Sequence, residues 1–430
     1  MHLLDITKHM NFCQYFSPIA ISLSPNVQKD DVWLVIKILA RFLLPRAKSR
    51  DCIAKLENKF REYLGVKYAF SFNSGRSALY VILKALDIQP GDEVFLQAFT
   101  CNAVPNPVLW AGGTPVYVDV DDSLNLDPED FARKLALSLQ EGGHPRAVII
   151  QNTFGIPAQV DKILEIAKKH NLLVIEDCAH ALGAKYNGQR LGTFGDVAFF
   201  SFGRDKVISS VWGGVVTTDS DTFAKKINTI YKDVPTPPDR WTIKQILHPL
   251  LFSIIIPTYY IFGKYLLAFL RIVRGVGLAV SQSERRGEKP DMFPARMPEE
   301  LAELALHQFA KLEMYNEHRR KIAELYKTKL GDYFELPPAN DGSIYLRFNI
   351  RHSKAKEIIQ EAKRKHILLG DWYKNVIDPI GTDFSAMKYI SGSCQNAERA
   401  ARDSINLPTH INISKKDAIK IIEFLKSLRK

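Results

Sequence analysis

Short apolar runs alternate with longer segments of helical periodicity over most of the chain. The runs YAFSF, DEVFLQAF, PVYVDVD, AVIIQNTFG and LLVIEDCAH are predicted strands, and helix-length segments such as QVDKILEIAKKH lie between them. This alternation predicts an α/β fold with a mostly parallel sheet that is covered by helices on both faces. Ligand-binding groups gather beyond the carboxyl ends of the strands in such sheets. The polar residues that follow these strands are therefore the first candidates for a functional site.

The same patterns divide the chain into four parts. They are an N-terminal lead-in helix region (1–50), a large α/β domain (51–232), an apolar helical insertion (233–292) and a small α+β C-terminal domain (293–430). In the lead-in, residues 31–44 have the helical spacing of a packed amphipathic helix, which we favour over a membrane anchor. In the C-terminal part, residues 296–330 are predicted to form one long amphipathic helix, and a strand is expected over 343–352.

The insertion departs most from an ordinary globular pattern. Residues 245–263 contain no Asp, Glu, Lys or Arg, and their number approaches the ~20 residues that span a bilayer core. Pro249 and Pro257 lie inside this stretch, where proline breaks or kinks a helix. The basic residues that flank the region are Lys244, Lys264, Arg271, Arg274, Arg285 and Arg286. The aromatic residues that could lie at a membrane interface are Trp241, Tyr259, Tyr260 and Tyr265. Three interpretations stay open: a membrane-binding helical hairpin over 245–280, a buried dimer or substrate-lid element, and, less favoured, a true span.

Charge and cysteine content narrow the class of protein. The formal net charge is +11, which fits either a solvated basic surface or a partner with phosphate or anionic lipid groups. No zinc-finger spacing or helix-turn-helix signature is present, so we expect no nucleic-acid partner. The five cysteines form no CxxC pair, which indicates a reducing compartment. The N-terminus has no signal-peptide pattern, and we expect a cytoplasmic protein, with attachment to the inner face of the membrane left open.

A candidate anion site follows the YAFSF strand. Residues 73–77 read Asn-Ser-Gly-Arg-Ser and open a predicted helix. Backbone N–H groups at a helix N-terminus bind anions, and the hydroxyls of Ser74 and Ser77 could add to them beside Gly75. Arg76 would supply a bidentate phosphate donor. Taken alone, this segment is more typical of an ordinary N-cap turn.

Three further segments carry chemistry near strand ends. Asp177 follows the LLVI run, where its carboxylate could pair with a cationic ring nitrogen or simply cap a helix. Lys206 lies five residues after Ser201 in a strongly apolar context. The lysine amine could form a Schiff base with a carbonyl group, and the serine hydroxyl could bind a phosphate. A lone lysine is otherwise a surface charge. The glycines of Trp212-Gly213-Gly214 allow a tight turn or a close backbone approach.

In combination these segments resemble a known family. SGRSAL, EDCAHALGA, GTFGDVAFFSFGRDK and WGGVVTT occur in the order seen in the DegT–DnrJ–StrS sugar aminotransferases, which use pyridoxal 5'-phosphate (PLP) on fold type I. The segments ARMPEELAELALHQFAKLEMYNEHRRKIAELY and INLPTHINISKKDAIKIIEFLK are similar to the family's second domain. The resemblance covers roughly residues 50–230 and 293–430. The spacing of 29 residues from Asp177 to Lys206 is its most specific part.

The resemblance implies a role for each matching residue. Lys206 would hold PLP as a Schiff base and move the proton, Asp177 would pair with the pyridine nitrogen, and His180 would lie against the ring. Ser201 would bind the cofactor phosphate. The remaining residues of the implied cofactor site are Ser74, Gly75, Arg76, Ser77 and Cys101. No metal is expected.

The implied activity is transfer of an amino group, with glutamate as the expected donor, to a nucleotide-linked keto-sugar by a homodimer. Other PLP chemistry, such as sugar dehydration, and a non-catalytic regulatory or binding role stay open. Lys206 argues against the related dehydratases, which replace this lysine with histidine. The chain departs from the family at Arg76, where threonine is usual, at Cys101, where many members have an aromatic residue, and at Pro294, where asparagine is usual.

Overall fold

A seven-stranded sheet lies at the centre of the computed structural model, which describes residues 17–42, 51–273, 275–277 and 279–428. The strands are β1 Tyr68–Phe72, β2 Asp92–Gln97, β3 Thr114–Val118, β4 His144–Gln151, β5 Leu173–Asp177, β6 Val197–Ser201 and β7 Gly214–Thr218. Their spatial order is β1-β7-β6-β5-β4-β2-β3. Strand β7 runs antiparallel to both of its neighbours, and the other pairs in this sheet are parallel. The predicted α/β class and mostly parallel sheet are confirmed.

Both faces of the sheet are buried, which explains why its strands are apolar runs rather than alternating ones. Successive side chains of a strand point to opposite faces. Val174 and Phe200 accordingly belong to one core cluster, whereas their neighbours Ile175 and Phe199 belong to another. The helices that cover the two faces of the sheet pack their apolar side chains into the same two clusters.

The helices follow the predicted periodicity closely in the large domain. The predicted helix from Cys52 ends before Gly65, whose φ of 77° fits a glycine cap. The α-helices of the described residues are Lys29–Phe42, Cys52–Leu64, Gly75–Ala85, Pro105–Ala111, Pro128–Gln140, Val160–Lys169, Asp221–Asp233, Asp239–Ile255, Lys264–Ile272, Gln282–Arg285, Glu299–Phe309, Leu312–Leu330, Ala355–Arg364, Gln395–Asp403 and Lys415–Ser427.

Four pairs of short strands complete the fold. They are Ile19–Ala20 with Ile367–Leu368, Thr100–Cys101 with Ile377–Asp378, Lys185–Tyr186 with Gln189–Arg190, and Arg347–Arg351 with Ser404–Pro408. The second pair brings a C-terminal segment next to the large sheet. Predictions for residues 1–16, 43–50 and 274 lie outside the described residues.

Two predictions for the C-terminal part are wrong in detail. Residues 296–330 form two helices, Glu299–Phe309 and Leu312–Leu330, rather than one. The first packs into the core of the large sheet and much of the second into a separate core, so the chain turns between them. The predicted strand over 343–352 shortens to Arg347–Arg351, because the backbone N–H groups of Ile344 and Leu346 bond instead to the carbonyls of Gly155 and Phe154.

The lead-in helix Lys29–Phe42 packs on the protein, as the amphipathic interpretation predicts. Its residues Val35 and Ile38 are fully buried, and the helix contacts the insertion helix Asp239–Ile255 and the helix Glu299–Phe309. Arg41 adds an ion pair of 2.8 Å with Glu303.

The insertion folds into two helices joined by a bend. Asp239–Ile255 continues through Pro249 and ends before Pro257, after which a π-helical turn, Tyr259–Gly263, leads into Lys264–Ile272. No single helix among the described residues has the length and apolar character to cross a bilayer. The two insertion segments would pass such a test together, but the chain bends by 108° between them.

Candidate active site

One cavity of about 380 Å³ gathers nearly all of the predicted site residues. It opens where the parallel strands β4, β5 and β6 end in Gln151, Asp177 and Ser201. This is the edge at which α/β sheets bind ligands. Its lining includes the predicted residues Ser74, Gly75, Arg76, Cys101, Asp177, His180, Ser201 and Lys206. Ser77 is buried directly behind the lining.

Lys206 and Asp177 face this cavity together and influence each other electrostatically. Burial lowers the pKa of the Lys206 amine, and the carboxylate of Asp177 counteracts that effect. Burial raises the pKa of Asp177 to about 6, although the Ala179 N–H at 2.9 Å and the charge of Lys206 both lower it. Within the described part of the chain, no hydrogen-bonding partner meets the Lys206 amine, which lies 6.0 Å from the centre of the Trp372 ring. The cavity thus holds a buried acid and an unengaged amine.

The backbone of Lys206 is held by residues that the sequence did not single out. The side-chain amide of Asn26 donates to the carbonyl of Lys206 at 2.7 Å and to that of Val207 at 3.2 Å. Arg319 is fully buried and donates to Asn26 Oδ1 at 2.9 Å and to the Val207 carbonyl at 2.7 Å. The lead-in segment therefore helps to fix the turn that presents the lysine.

His180 is a neutral, flat wall of the cavity. Its ring is stacked at 5.9 Å on Phe154, at an interplanar angle of 9°. The backbone N–H of Phe154 donates to His180 Nδ1 at 3.3 Å, which leaves the proton on Nε2. Burial and the positive charges of Lys206 and Arg347 hold the pKa of His180 well below its usual value.

Two adjacent aromatic residues extend this wall, and the sequence analysis missed both. Trp372 and Tyr373 stack near His180 at 6.2 and 6.3 Å, with interplanar angles of 13° and 21°. Arg347 lies over the Trp372 ring, at 3.5 Å from the ring centre. The short strand Ile377–Asp378 follows these two residues in the chain and pairs with the strand Thr100–Cys101 beside the cavity. This pairing holds the two rings next to the cavity. The adjacent large aromatics in GDWYKNV were the available signal.

The predicted anion turn has the geometry of a capped helix start. Ser74 is the N-cap of Gly75–Ala85, and its hydroxyl accepts the Ser77 N–H at 3.2 Å. The Ser77 hydroxyl donates to Asn73 Oδ1 at 2.7 Å. A Cβ on Gly75 would lie 3.0 Å from the Cβ of Ser201, so that glycine allows the helix to approach β6 closely.

The glycine pair has the close approach predicted for it. A Cβ added to Gly214 would lie 2.7 Å from the backbone N of Gly75 and from the carbonyl carbon of Ser74. Strand β7 therefore lies against the helix start, and only glycine fits there. The turn, β6 and β7 together form one end of the cavity.

Arg76 lines the cavity but is already paired. Its guanidinium forms an ion pair with Glu284, and Nη2 donates to the Ala279 carbonyl at 2.8 Å. The ring of Trp212 lies 5.2 Å from it. Ala279 and Glu284 both belong to the part of the insertion that follows its second helix. Ala279, Val280 and Arg285 of this part line the cavity. The positive charge of Arg76 is thus matched by protein rather than left open for an anion.

The other two departures from the family pattern lie on different sides of the site. Cys101 lines the cavity on the short strand paired with Ile377–Asp378, and burial raises the pKa of its thiol, which keeps it neutral. Pro294 does not line the cavity in the described part of the chain. The residue after it, Ala295, accepts the Asn73 N–H at 2.9 Å, so this segment supports the anion turn from behind.

Comparison with known proteins identifies the architecture. A DegT/DnrJ/EryC1/StrS aminotransferase from Brucella abortus superposes with a TM-score of 0.72 at 24% identity, covering 93% of this chain and 95% of that one. NtdA of Bacillus subtilis, with bound cofactor PMP, gives a TM-score of 0.70 at 20% identity, covering 96% and 85%. At these identities the two structures show the fold alone, which is that of the PLP-dependent aminotransferases.

Sequence comparison goes further than the fold. The chain is 29% identical over 381 residues to the GDP-perosamine synthase of Caulobacter vibrioides, covering 87% of this chain and 89% of the relative. The profile of the DegT/DnrJ/EryC1/StrS aminotransferase family matches residues 47–242 and 264–426 and leaves residues 243–263 of the insertion unmatched. The chain therefore belongs to the DegT/DnrJ/EryC1/StrS aminotransferase family, whose members are PLP-dependent enzymes.

Proposed function

We propose that this protein transfers an amino group from glutamate to the keto carbon of a nucleotide-linked sugar, with Lys206, Asp177 and His180 as its catalytic residues. The observation that carries the proposal is the meeting of a buried acid, an unengaged amine and a flat neutral ring in one cavity. They lie at the carboxyl edge of the sheet, beside a capped helix start.

The residues present fit PLP. The carboxylate of Asp177 is buried, its pKa is raised, and one backbone N–H donates to it. A cationic ring nitrogen would stabilise the negative charge that burial disfavours. Ser74, Ser77 and Ser201, with the N–H groups of the helix start, suit a phosphate group at the other end. PLP, when bound, supplies an electron sink for the carbon that loses its proton.

Each of the three catalytic residues has a distinct physical task. Lys206 would hold the cofactor and move a proton at its Nζ, since burial lowers its pKa and increases the neutral fraction of the amine. Asp177 would keep a negative charge opposite the ring nitrogen. His180, held neutral by burial, would offer a flat face without competing for that charge.

The sugar assignment is supported by relatives and by charge. Besides GDP-perosamine synthase, the UDP-N-acetyl-3-dehydro-alpha-D-glucosamine 3-aminotransferase of Acidithiobacillus ferrooxidans is 41% identical over 174 residues, which are 40% of this chain and 45% of that protein. The names of both relatives contain a nucleotide sugar. The net charge of +11 suits a diphosphate-bearing substrate.

Two further parts of the proposal concern assembly and place. We propose a homodimer, which the family resemblance implies and which light scattering on a sizing column would test. We also propose that the protein works in the cytoplasm with a peripheral contact to the inner face of the membrane through residues 245–280. The exposed apolar side chains of that segment support this contact.

The test of the reaction is a pair of half-reactions on the PLP-loaded protein. Glutamate should bleach the visible absorbance band of the cofactor and release 2-oxoglutarate, and a keto-sugar nucleotide should restore the band. Lys206→Ala should lose both, whereas Ser393→Ala, which lies outside the cavity lining, should keep both. A preparation that binds PLP but releases no 2-oxoglutarate would instead favour other PLP chemistry or a binding role.

A further inference from the structure

A row of large apolar side chains is exposed on the second helix of the insertion and on the π-helical turn before it. We call Ile261, Phe262, Tyr265, Phe269 and Ile272 the apolar stripe. Tyr265, Phe269 and Ile272 are exposed by 65%, 58% and 80%. Their spacing of four and three residues places them on one face of Lys264–Ile272. Such a grouping is unusual on a folded surface, where exposed apolar residues are normally scattered.

The opposite face of the same helix is fixed to the protein. Leu267 is buried and packs with Phe252, Ile255 and Val276 in a small core of the insertion. The stripe therefore cannot turn inward without breaking this core. The stripe is exposed because the opposite face of the helix is packed against the protein.

The charge of the surrounding chain identifies the kind of surface that would meet the stripe. Between Asp239 and Glu284 the sequence has no Asp or Glu, but it has five basic residues: Arg240, Lys244, Lys264, Arg271 and Arg274. Lys264 and Arg271 are seven residues apart on the helix and lie along one flank of the stripe. An apolar face with a basic flank is the arrangement of helices that lie in the interface of anionic membranes.

We propose that the apolar stripe docks the protein onto the surface of a bilayer that contains anionic phospholipids, with Lys264 and Arg271 reaching the headgroups. A second copy of the chain fits this surface less well. A twofold contact through the stripe would bring the same acid-free basic segments together, whereas anionic headgroups supply the opposite charge.

The docking surface is continuous with the wall of the catalytic cavity. Val276 belongs to the core under the stripe, and the next residue, Gly277, accepts a hydrogen bond of 2.6 Å from Arg204, which lies two residues before Lys206. Ala279 and Val280 then line the cavity. The docking proposal refines the proposed peripheral membrane contact and is independent of amino transfer, so either can fail without the other.

The experiment is cosedimentation of the full-length, PLP-loaded protein with vesicles. One set of vesicles contains phosphatidylglycerol and phosphatidylcholine in equal parts, and the other contains phosphatidylcholine alone. We expect the protein to pellet with the anionic vesicles. Phe269→Gln with Ile272→Gln should weaken this binding about tenfold or more, because two apolar side chains no longer enter the interface. Lys264→Gln with Arg271→Gln should weaken binding to the anionic vesicles about fivefold for each positive charge removed, at low salt.

The matched control is Leu137→Gln with Leu139→Gln, which replaces two exposed leucines on the remote helix Pro128–Gln140. This variant should bind as the wild type does. Retention of the cofactor absorbance band by every variant verifies folding. The proposal is overturned if the wild type stays in the supernatant, or if the stripe variant Phe269→Gln with Ile272→Gln binds like the control. It is also overturned if that variant converts a dimer to a monomer while vesicle binding is absent.

Discussion

Glu284→Gln removes the negative partner of a buried arginine in the wall of the cavity. The side chains of Arg76 and Glu284 are only 10% and 7% exposed. Glu284 also closes a capping box with Ser281, whose backbone N–H donates to Glu284 Oε2 at 2.7 Å. The amide of glutamine preserves the size of the side chain and removes its charge, so the variant isolates the ion pair.

The size of the effect follows from the burial of the pair. Removal of one partner of a buried ion pair costs about 3–5 kcal/mol, because a charge is left without compensation. Arg76 keeps the Ala279 carbonyl at 2.8 Å and the face of the Trp212 ring. We therefore expect a loss at the lower end of this range, about 3 kcal/mol in the free energy of unfolding. For a chain of this length, that corresponds to a melting temperature lower by roughly 3–6 °C.

The assay is thermal unfolding of the PLP-loaded protein, with Glu288→Gln as the control. Glu288 pairs with Arg286 at 2.8 Å in the same part of the chain, but both side chains are more than half exposed, and such pairs contribute little. The control should melt with the wild type. Removing both charges, Arg76→Met with Glu284→Gln, should recover most of the loss, since no charge is left buried and the glutamine can still cap Ser281. If Glu284→Gln melts within about 1 °C of the wild type, the pair does not hold the wall.

Two further predictions concern Asp177 and Gly75, at the two ends of the proposed cofactor site. In the cofactor-free protein, the folded pKa of Asp177 is about 6, above its ordinary 3.8. The wild type should therefore lose about 3 kcal/mol of stability as the pH rises from about 4 to above about 6. Urea unfolding at about pH 4 and about pH 8 should show most of this loss for the wild type and none of it for Asp177→Asn, and an equal pH dependence of the two proteins would contradict the prediction. Gly75→Ala places a Cβ 3.0 Å from that of Ser201 and should weaken PLP binding about tenfold in a fluorescence titration. Gly331→Ala, which meets only ordinary contacts, should bind PLP normally, and equal affinities of the two variants would refute the close-packing argument.

Local pattern was enough to predict the sheet and to place Asp177 and Ser201 at the ends of its strands. Asp177 and Ser201 end neighbouring parallel strands, so any sheet of this order brings them to one edge. Lys206 follows in the next turn. The roles of these residues came from the family resemblance, because a lone lysine is usually a surface charge and a lone aspartate often caps a helix.

The missed features depend on contacts between distant parts of the chain. Trp372 reaches the cavity because a strand nearby pairs with Thr100–Cys101, and no local pattern encodes that pairing. Arg76 pairs with Glu284, and Asn26 with the backbone of Lys206, across 208 and 180 residues. The break between Phe309 and Leu312 arises because one amphipathic stretch serves two cores.

Covalent mapping of the cofactor tests the central claim most directly. The PLP-loaded protein is reduced with borohydride, digested and analysed by mass spectrometry, which fixes PLP to the lysine that holds it. We predict a pyridoxyl-phosphate group on Lys206, and its loss together with the visible band in Lys206→Ala. A label on another lysine, or the same label in Lys206→Ala, would contradict the assignment of this cavity as the active site.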